Sequence, residues 1–286
     1  MESFRFDSAI DGATIQAYVW PAAGKLRAIV SISHGAAEHA LRYERFALAL
    51  NAVGIEVWAT DHRGHGQSPG PHGLGDFGEG GWLALVADMG QLIDLARKAQ
   101  PDTQVILFGH SMGSFAAQEF CLDESERIDA LILSGSTALE VPGEDGPAPA
   151  GGFNAALEPA RTEYDWLSRD EAEVDKYIAD PLCGFETLGW RGTRSLWDPT
   201  RLADAEALRN IRSDLPVLLM AGERDPINND LKGLHLLEQR WRDAGVERID
   251  TQYYEGARHE TLNEINRDEV TDNIIDWLND ILQNLA

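Results

Sequence analysis

The sequence predicts an α/β fold: a mostly parallel central sheet flanked by helices, with a helical cap inserted between two strands. Three observations carry this. "QVILFG", "DALILSG" and "PVLLMAG" are short, almost continuous apolar runs that end at a glycine, as strands covered on both faces do. Segments of helical period separate the strand-like runs. Residues 137–200 break that rhythm, with no β-like run but many large aromatic side chains.

The elements follow in order. A first strand lies near Ser3–Phe6, and the alternating "ATIQAYVWPA" gives an antiparallel second one. "AIVSIS" is the third and leads into His34-Gly35. "YERFALALNAVG" has helical spacing and stops at Gly54, a helix C-terminus. "IEVWAT" runs into "DHRGHGQSPGPHGLGD". Trp82, Leu85, Val86, Met89, Leu92, Ile93 and Ala96 then step by three or four and define one face of a long helix. "RIDTQYYEG" is the last strand, and Val270, Ile274, Trp277, Leu278, Ile281 and Leu285 mark the closing helix. The core therefore spans 1–136 and 201–286, with 137–200 as the cap. Within the cap, Ser168 and Glu171 have capping-box spacing, so a helix opened there ends before Pro181. Its large apolar residues are Phe153, Tyr164, Trp166, Leu167, Phe185, Leu188, Trp190, Leu196 and Trp197.

Composition narrows the function. The chain has 286 residues and 43% hydrophobic content, enough for one large domain with a buried core. Its 48 acidic and 24 basic residues give a formal net charge of −24. Such a surface repels nucleic-acid phosphate and anionic lipid headgroups, so neither nucleic acid nor stable membrane insertion is expected. Cys121 and Cys183 lack CxxC spacing and read as unpaired thiols. No secretory leader or long apolar span is visible, and a cytoplasmic protein is expected. His62 and His65 stand close together, but no cysteine or carboxylate set completes a metal site around them. The oligomeric state is not legible.

The chemistry lies in "VILFGHSMGSFAAQEF". Gly109-His110-Ser111-Met112-Gly113 matches G-x-S-x-G between a strand and a helix. A sharp strand-to-helix turn projects the serine hydroxyl above the sheet, and small neighbours let strand and helix approach. The helix N-terminus favours negative charge developing nearby. A serine needs a base, and only His235 and His259 follow Ser111. His235 lies inside a helical pattern, whereas His259 lies on a loop between the last strand and the last helix. Asp225, three residues past Gly222, suits the acid that orients the histidine. Glu223 is too close to the strand end, and Asp230 reads as the start of the next helix. The oxyanion donors are then the N–H of Met112 and, from "SHGAAEHALRY" after the third strand, that of Ala36.

Taken together, "HGAAEHALRY", "DHRGHGQS", "GHSMGS", "AGERDPI" and "GARHE" resemble the monoacylglycerol lipase and lysophospholipase branch of the α/β-hydrolase superfamily. "DWLSRD" and "DPLCGF" resemble bacterial lysophospholipase-like members. The resemblance covers almost the whole chain. It implies an α/β-hydrolase fold, a Ser111, Asp225 and His259 triad, and Ala36 and Met112 as oxyanion donors. It also sets Glu38 and Arg42 near the polar head of a glycerol ester, and Asp61 and Arg63 as braces of the turns around the nucleophile. In relatives the oxyanion loop often reads HGxGEH. Ala37 stands where that glycine would be, which narrows the backbone's freedom but leaves the Ala36 N–H available.

The expected reaction is hydrolysis of monoacyl esters through an acyl-enzyme, with no cofactor. The aromatic cap, Trp166 included, suits an apolar acyl or aryl group. A thioesterase, an amidase or peptidase, or a perhydrolase would use the same triad. A non-catalytic ligand-binding protein on this fold usually lacks a triad member. A dehalogenase or epoxide hydrolase needs a carboxylate where Ser111 stands.

Overall fold

The computed structural model describes residues 1–139, 152–157, 159–186 and 199–284. Strands β1 (Glu2–Asp7), β2 (Thr14–Trp20), β3 (Ala28–Ser33), β4 (Ile55–Thr60), β5 (Gln104–His110), β6 (Ala130–Ser134), β7 (Val217–Gly222) and β8 (Ile249–Tyr254) lie where the apolar runs predict. Among the described residues they form one sheet in the order β1-β2-β4-β3-β5-β6-β7-β8. β1 and β2 pair antiparallel and β2 meets β4 antiparallel; the rest of the sheet is parallel.

The helices are α1 (Glu44–Ala52), α2 (Gly81–Ala99), α3 (Met112–Glu124), α4 (Glu171–Ala179), α5 (Ala205–Leu208), α6 (Lys232–Ala244) and α7 (Arg267–Asn284). Side-chain alternation splits the core between the two faces of the sheet. On β5, Val105 and Leu107 join Trp82, Leu85 and Met89 of α2 and Phe115 of α3, with Trp241 of α6 in the same layer. Ile106 and Phe108 face the opposite layer, with Phe46 and Leu50 of α1 and Ile274, Trp277 and Leu278 of α7. Parallel strands covered this way need apolar residues at every position, which explains the continuous runs. No helix among the described residues is long and apolar enough to cross a membrane.

Two expectations change. α4 opens at Glu171, and its N-cap is Asp170, whose carboxylate accepts from the Ala172 N–H at 3.0 Å. Ser168 sits outside the helix; its hydroxyl donates to the Asn263 carbonyl and accepts from the Asp170 N–H. An aspartate two residues before the first amide it bonds satisfies that donor as well as a capping box does. Asp230 does not start α6. Asn229, Asp230 and Leu231 lie at φ +52°, +52° and +64°, and the helix begins at Lys232. Leu188, Trp190, Leu196, Trp197 and Leu285 lie outside the described residues.

Candidate active site

The sheet brings the sequence's candidates to one end of the parallel strands. Ser111 follows β5 directly and has φ +51° and ψ −121°. That conformation costs on the order of 1–3 kcal/mol, so its surroundings must hold it. Its N–H donates to the Ser134 carbonyl at 2.9 Å, and α3 begins at the next residue. A Cβ on Gly113 would collide with the Ser33 carbonyl, and one on Gly109 would lie 2.6 Å from the Gly113 carbonyl oxygen. Both glycines are therefore required by the close approach of α3 to β3 and β5.

Asp225 lies in the turn after β7 and His259 on the loop after β8, and both are buried. His259 Nδ1 donates to Asp225 Oδ2 at 2.8 Å, and Asp225 Oδ1 accepts the Ile227 N–H at 2.9 Å. Burial opposes charge on His259, but the Asp225 carboxylate outweighs it by charge and hydrogen bond, with Glu260 and Glu38 adding. The imidazole is held above its ordinary pKa. With Nδ1 engaged, Nε2 is the nitrogen left to act as base. Ser111 and His259 line the same cavity of ≈ 400 Å³. No hydrogen bond joins their side chains; in ligand-free sites such bonds are often long and tighten with substrate.

Ala36 and Met112 also line the cavity, and neither N–H has an acceptor among the described residues. Ala37 has φ +54°, the left-handed conformation that glycine adopts freely and alanine adopts at a cost of about 1 kcal/mol. Glu38 lines the cavity and is buried. Its carboxylate accepts from the Gly35 N–H at 2.5 Å, the Tyr43 hydroxyl at 2.8 Å and Arg42 at 2.6 Å. Desolvation raises its pKa, but the Arg42 charge, the next largest influence, and those hydrogen bonds bring it below the usual value. Arg42 sits one layer further back. It does not line this cavity, it grips Glu260 with two bonds of 2.6 and 2.7 Å, and it lies 4.8 Å over the Tyr177 ring.

Trp166 lines the cavity, and its ring lies 4.9 Å from that of His259. Phe153 stacks on Trp166 with ring centroids 4.3 Å apart, and His110 lies 4.7 Å from His259. Burial, then repulsion from His259, lowers the His110 pKa to about 4, so a neutral ring lies beside the base. Phe115, Leu167, Phe185 and Ile227 complete the apolar lining. His110, Glu260 and Tyr177 escaped the sequence reading. His110 is the variable position of the serine motif and Glu260 follows the histidine, but their neighbours are distant in sequence.

His235 is exposed on α6. His34, His62 and His65 pack together with ring centroids 4.2 and 5.2 Å from His34. Each bonds within the loops: His34 Nε2 accepts the His62 N–H, His62 meets the Ser33 hydroxyl, and His65 meets the Arg63 carbonyl. Asp61 accepts from the Ala40 and Gln67 N–H groups and the Tyr18 hydroxyl, and Arg63 binds Asp11 and Asp88. Asp61 joins the turns after β3 and β4, and Arg63 joins the latter to the β1–β2 turn and to α2. Among the described residues one group brings three ligating atoms within 4.8 Å of one another: His39, Asp180 and Cys183. Two of those atoms, on His39 and Asp180, already share a hydrogen bond of 2.9 Å. Both cysteines are free thiols, and burial raises both pKa values.

Residues between β6 and β7 contact two of these loops. The Glu260 N–H donates to the Leu167 carbonyl at 2.8 Å, and Arg258 binds the Asp165 and Ser168 carbonyls. Tyr177 and Gly184 reach the carbonyl of Ala37.

Comparison with known proteins identifies the family. Residues 24–266 match the family described as serine aminopeptidase, S33. The chain is 31% identical to the monoglyceride lipase of Mus musculus over 277 residues, covering 94% of this chain and 86% of that one. It is 29% identical to the monoacylglycerol lipase of Mycolicibacterium smegmatis over 280 residues, 95% of each. The solved structure of a thermostable carboxyl esterase from Bacillus coagulans in complex with glycerol superposes with a TM-score of 0.88 at 26% identity, covering 98% of both chains.

Proposed function

The chain belongs to the serine aminopeptidase S33 family of α/β-hydrolases, in its monoacylglycerol lipase branch, and from that premise we propose that it hydrolyses monoacyl esters through Ser111, His259 and Asp225. It is an ester-cleaving serine hydrolase. The observation that carries the finer reading is the buried 2.8 Å bond from His259 to Asp225 beside a serine held at φ +51° in the same cavity.

The steps follow from that geometry. His259 Nε2 takes the Ser111 proton as Oγ bonds to the ester carbonyl carbon. The carbonyl oxygen becomes an oxyanion between the N–H groups of Ala36 and Met112, with the N-terminus of α3 behind it. The C–O bond to the alcohol breaks, and His259 protonates the leaving oxygen. Water, deprotonated by the same nitrogen, then attacks the acyl-enzyme, releases the acid and restores Ser111. Asp225 keeps the ring in the Nδ1–H tautomer and stabilises the imidazolium.

Phe115, Phe153, Trp166, Leu167, Phe185 and Ile227 suit an apolar acyl or aryl group, and Phe153, Trp166, Leu167 and Phe185 are the part of the expected cap that lines the cavity. Glu38 supplies a polar point for the alcohol; Arg42 acts through it. The net charge of −24 disfavours anionic bilayers and nucleic acid, so dispersed or micellar monoesters are the substrates. Hydrolysis of p-nitrophenyl esters and monoacylglycerols of graded chain length, with thioesters and anilides alongside, tests this. Ser111→Ala should lower the ester rate by about 10⁴-fold or more while leaving fatty-acid binding intact. Full ester hydrolysis in that variant, or an anilide preferred over every ester, defeats the proposal.

A further inference from the structure

The oxyanion loop contains a residue poorly suited to its conformation. Ala37, directly after the proposed donor Ala36, has φ +54°. A relaxed alanine there would rotate the peptide joining it to Ala36 and carry the neighbouring N–H groups with it. Two hydrogen bonds oppose that rotation, and both come from the insertion. The Tyr177 hydroxyl donates to the Ala37 carbonyl at 2.9 Å, and the Gly184 N–H donates to the same oxygen at 2.9 Å. A carbonyl oxygen has two acceptor positions, and here both are filled. The loop is tied a third time by His39, paired with Asp180 at 2.9 Å.

We propose that Tyr177 and the Gly184 N–H are positioning groups for the oxyanion hole, fixing Ala37 in its left-handed conformation so that the Ala36 N–H stays aimed into the cavity. This rests on the reading of Ala36 as an oxyanion donor. The cap then does more than cover the acyl group: it completes the electrostatic half of the site. Burial, followed by the charge of Glu260, pushes the Tyr177 hydroxyl above the ordinary phenol range, so it remains a donor wherever the enzyme works. The ring also lies 4.8 Å from the Arg42 guanidinium, a contact that phenylalanine retains. Tyr177→Phe therefore removes the bond to Ala37 and little else.

The experiment measures kcat and KM on p-nitrophenyl butyrate for the parent, Tyr177→Phe, Ala37→Gly and the double variant, with Ser111→Ala as reference. Tyr177→Phe should lower kcat ~10-fold and leave KM within about twofold, the mark of an interaction used in the transition state. Inhibition by a boronic acid, which forms a tetrahedral adduct on the serine, should weaken by a similar factor. Glycine at position 37 tolerates φ +54° unaided, so in the Ala37→Gly background the loss should shrink to ~3-fold or less. A merely structural tyrosine would not show that dependence. An unchanged kcat, a change confined to KM, or equal losses in both backgrounds overturns the clamp. If Ser111→Ala retains the parent rate, the proposed site fails and the clamp with it. If Ser111→Ala is inactive and Tyr177→Phe is not impaired, the clamp alone fails.

Discussion

Two non-glycine residues beside the cavity share the left-handed backbone region, and the molecule holds them in different ways. Ser111, at φ +51°, is fixed from within the core. Its N–H bonds to the Ser134 carbonyl, α3 starts immediately after it, and Gly109 and Gly113 let the neighbouring backbones close in. Ala37, at φ +54°, is fixed from outside by Tyr177 and Gly184. Ser111, the proposed nucleophile, is thus as stable as the sheet, while the loop of the proposed oxyanion donor Ala36 is only as stable as the docking of Tyr177 and Gly184. His259 lies between the two cases. Asp225 holds it from the core, while Trp166 and the Leu167 carbonyl reach its loop from the insertion.

The largest effects should come from the core side. Asp225→Asn offers His259 Nδ1 an amide that can donate, which favours the wrong tautomer. We expect kcat to fall by about 10³–10⁴-fold with little change in KM. Steady-state kinetics check this, and a loss under tenfold would remove Asp225 from the triad. Gly113→Ala follows. Its Cβ meets the Ser33 backbone, which cannot yield without moving β3, and such overpacking costs about 3 kcal/mol. Chemical denaturation should show that loss. A variant as stable as the parent would mean that the nucleophile turn is looser than the core packing implies.

pH sharpens the comparison next. His34 and His62 are held well below the usual imidazole value of about 6.5, and His65 and His110 lie at about 4, in each case mainly through burial. The fold favours their neutral forms, so stability present at neutral pH should be lost as pH falls from about 6.5 towards 4. His259 is shifted the other way: its contribution is present at low pH and lost as pH rises through its folded value. Among the histidines four shifts oppose one, so their net effect is acid destabilisation, partly offset by Asp61 and Asp88, whose carboxyls burial raises. If His259 is the base, as proposed, activity requires its neutral form, and the acid limb of kcat/KM should lie above about 6.5. An acid limb at or below that value would show that the Asp225 interaction does not outweigh burial.

The sequence discloses what is local and conceals what is long-range. β3 to β7 announce themselves because a strand covered on both faces must be apolar throughout, and β1, β2 and β8 show as shorter or alternating strand-like runs. Ser111, Asp225 and His259 are legible because each follows such a run by one to a few residues. The pairing of Arg42 with Glu260 joins positions 218 apart, and nothing near either residue signals it. Trp166 is visible as one aromatic among several, but its place against His259 depends on how residues 165–170 dock on the loop after β8. The N-cap of α4 misleads because Ser168 and Asp170 are both capping residues, and only the observed hydrogen bonds choose between them. Ala37 stands where the resemblance places a glycine, but the cost of an alanine there shows only in its φ of +54°.

The smallest prediction addresses that cost directly. Ser111→Gly and Ala37→Gly each remove a β-carbon from the left-handed region. Each should stabilise the fold by up to about 1 kcal/mol, after allowance for the greater freedom of glycine in the unfolded chain. For a domain of this size that is a rise in Tm of about 2 °C, within reach of calorimetry. The two variants should nevertheless part in function. Ser111→Gly should gain stability and lose the proposed nucleophile, a trade expected where strain is built into an active site. Ala37→Gly should gain stability and keep its kcat within about twofold, because the Tyr177 and Gly184 bonds still hold its carbonyl. A fall in Tm on Ala37→Gly would show that the alanine methyl contributes packing worth more than the strain it causes. The two left-handed residues would then differ in kind as well as in what holds them.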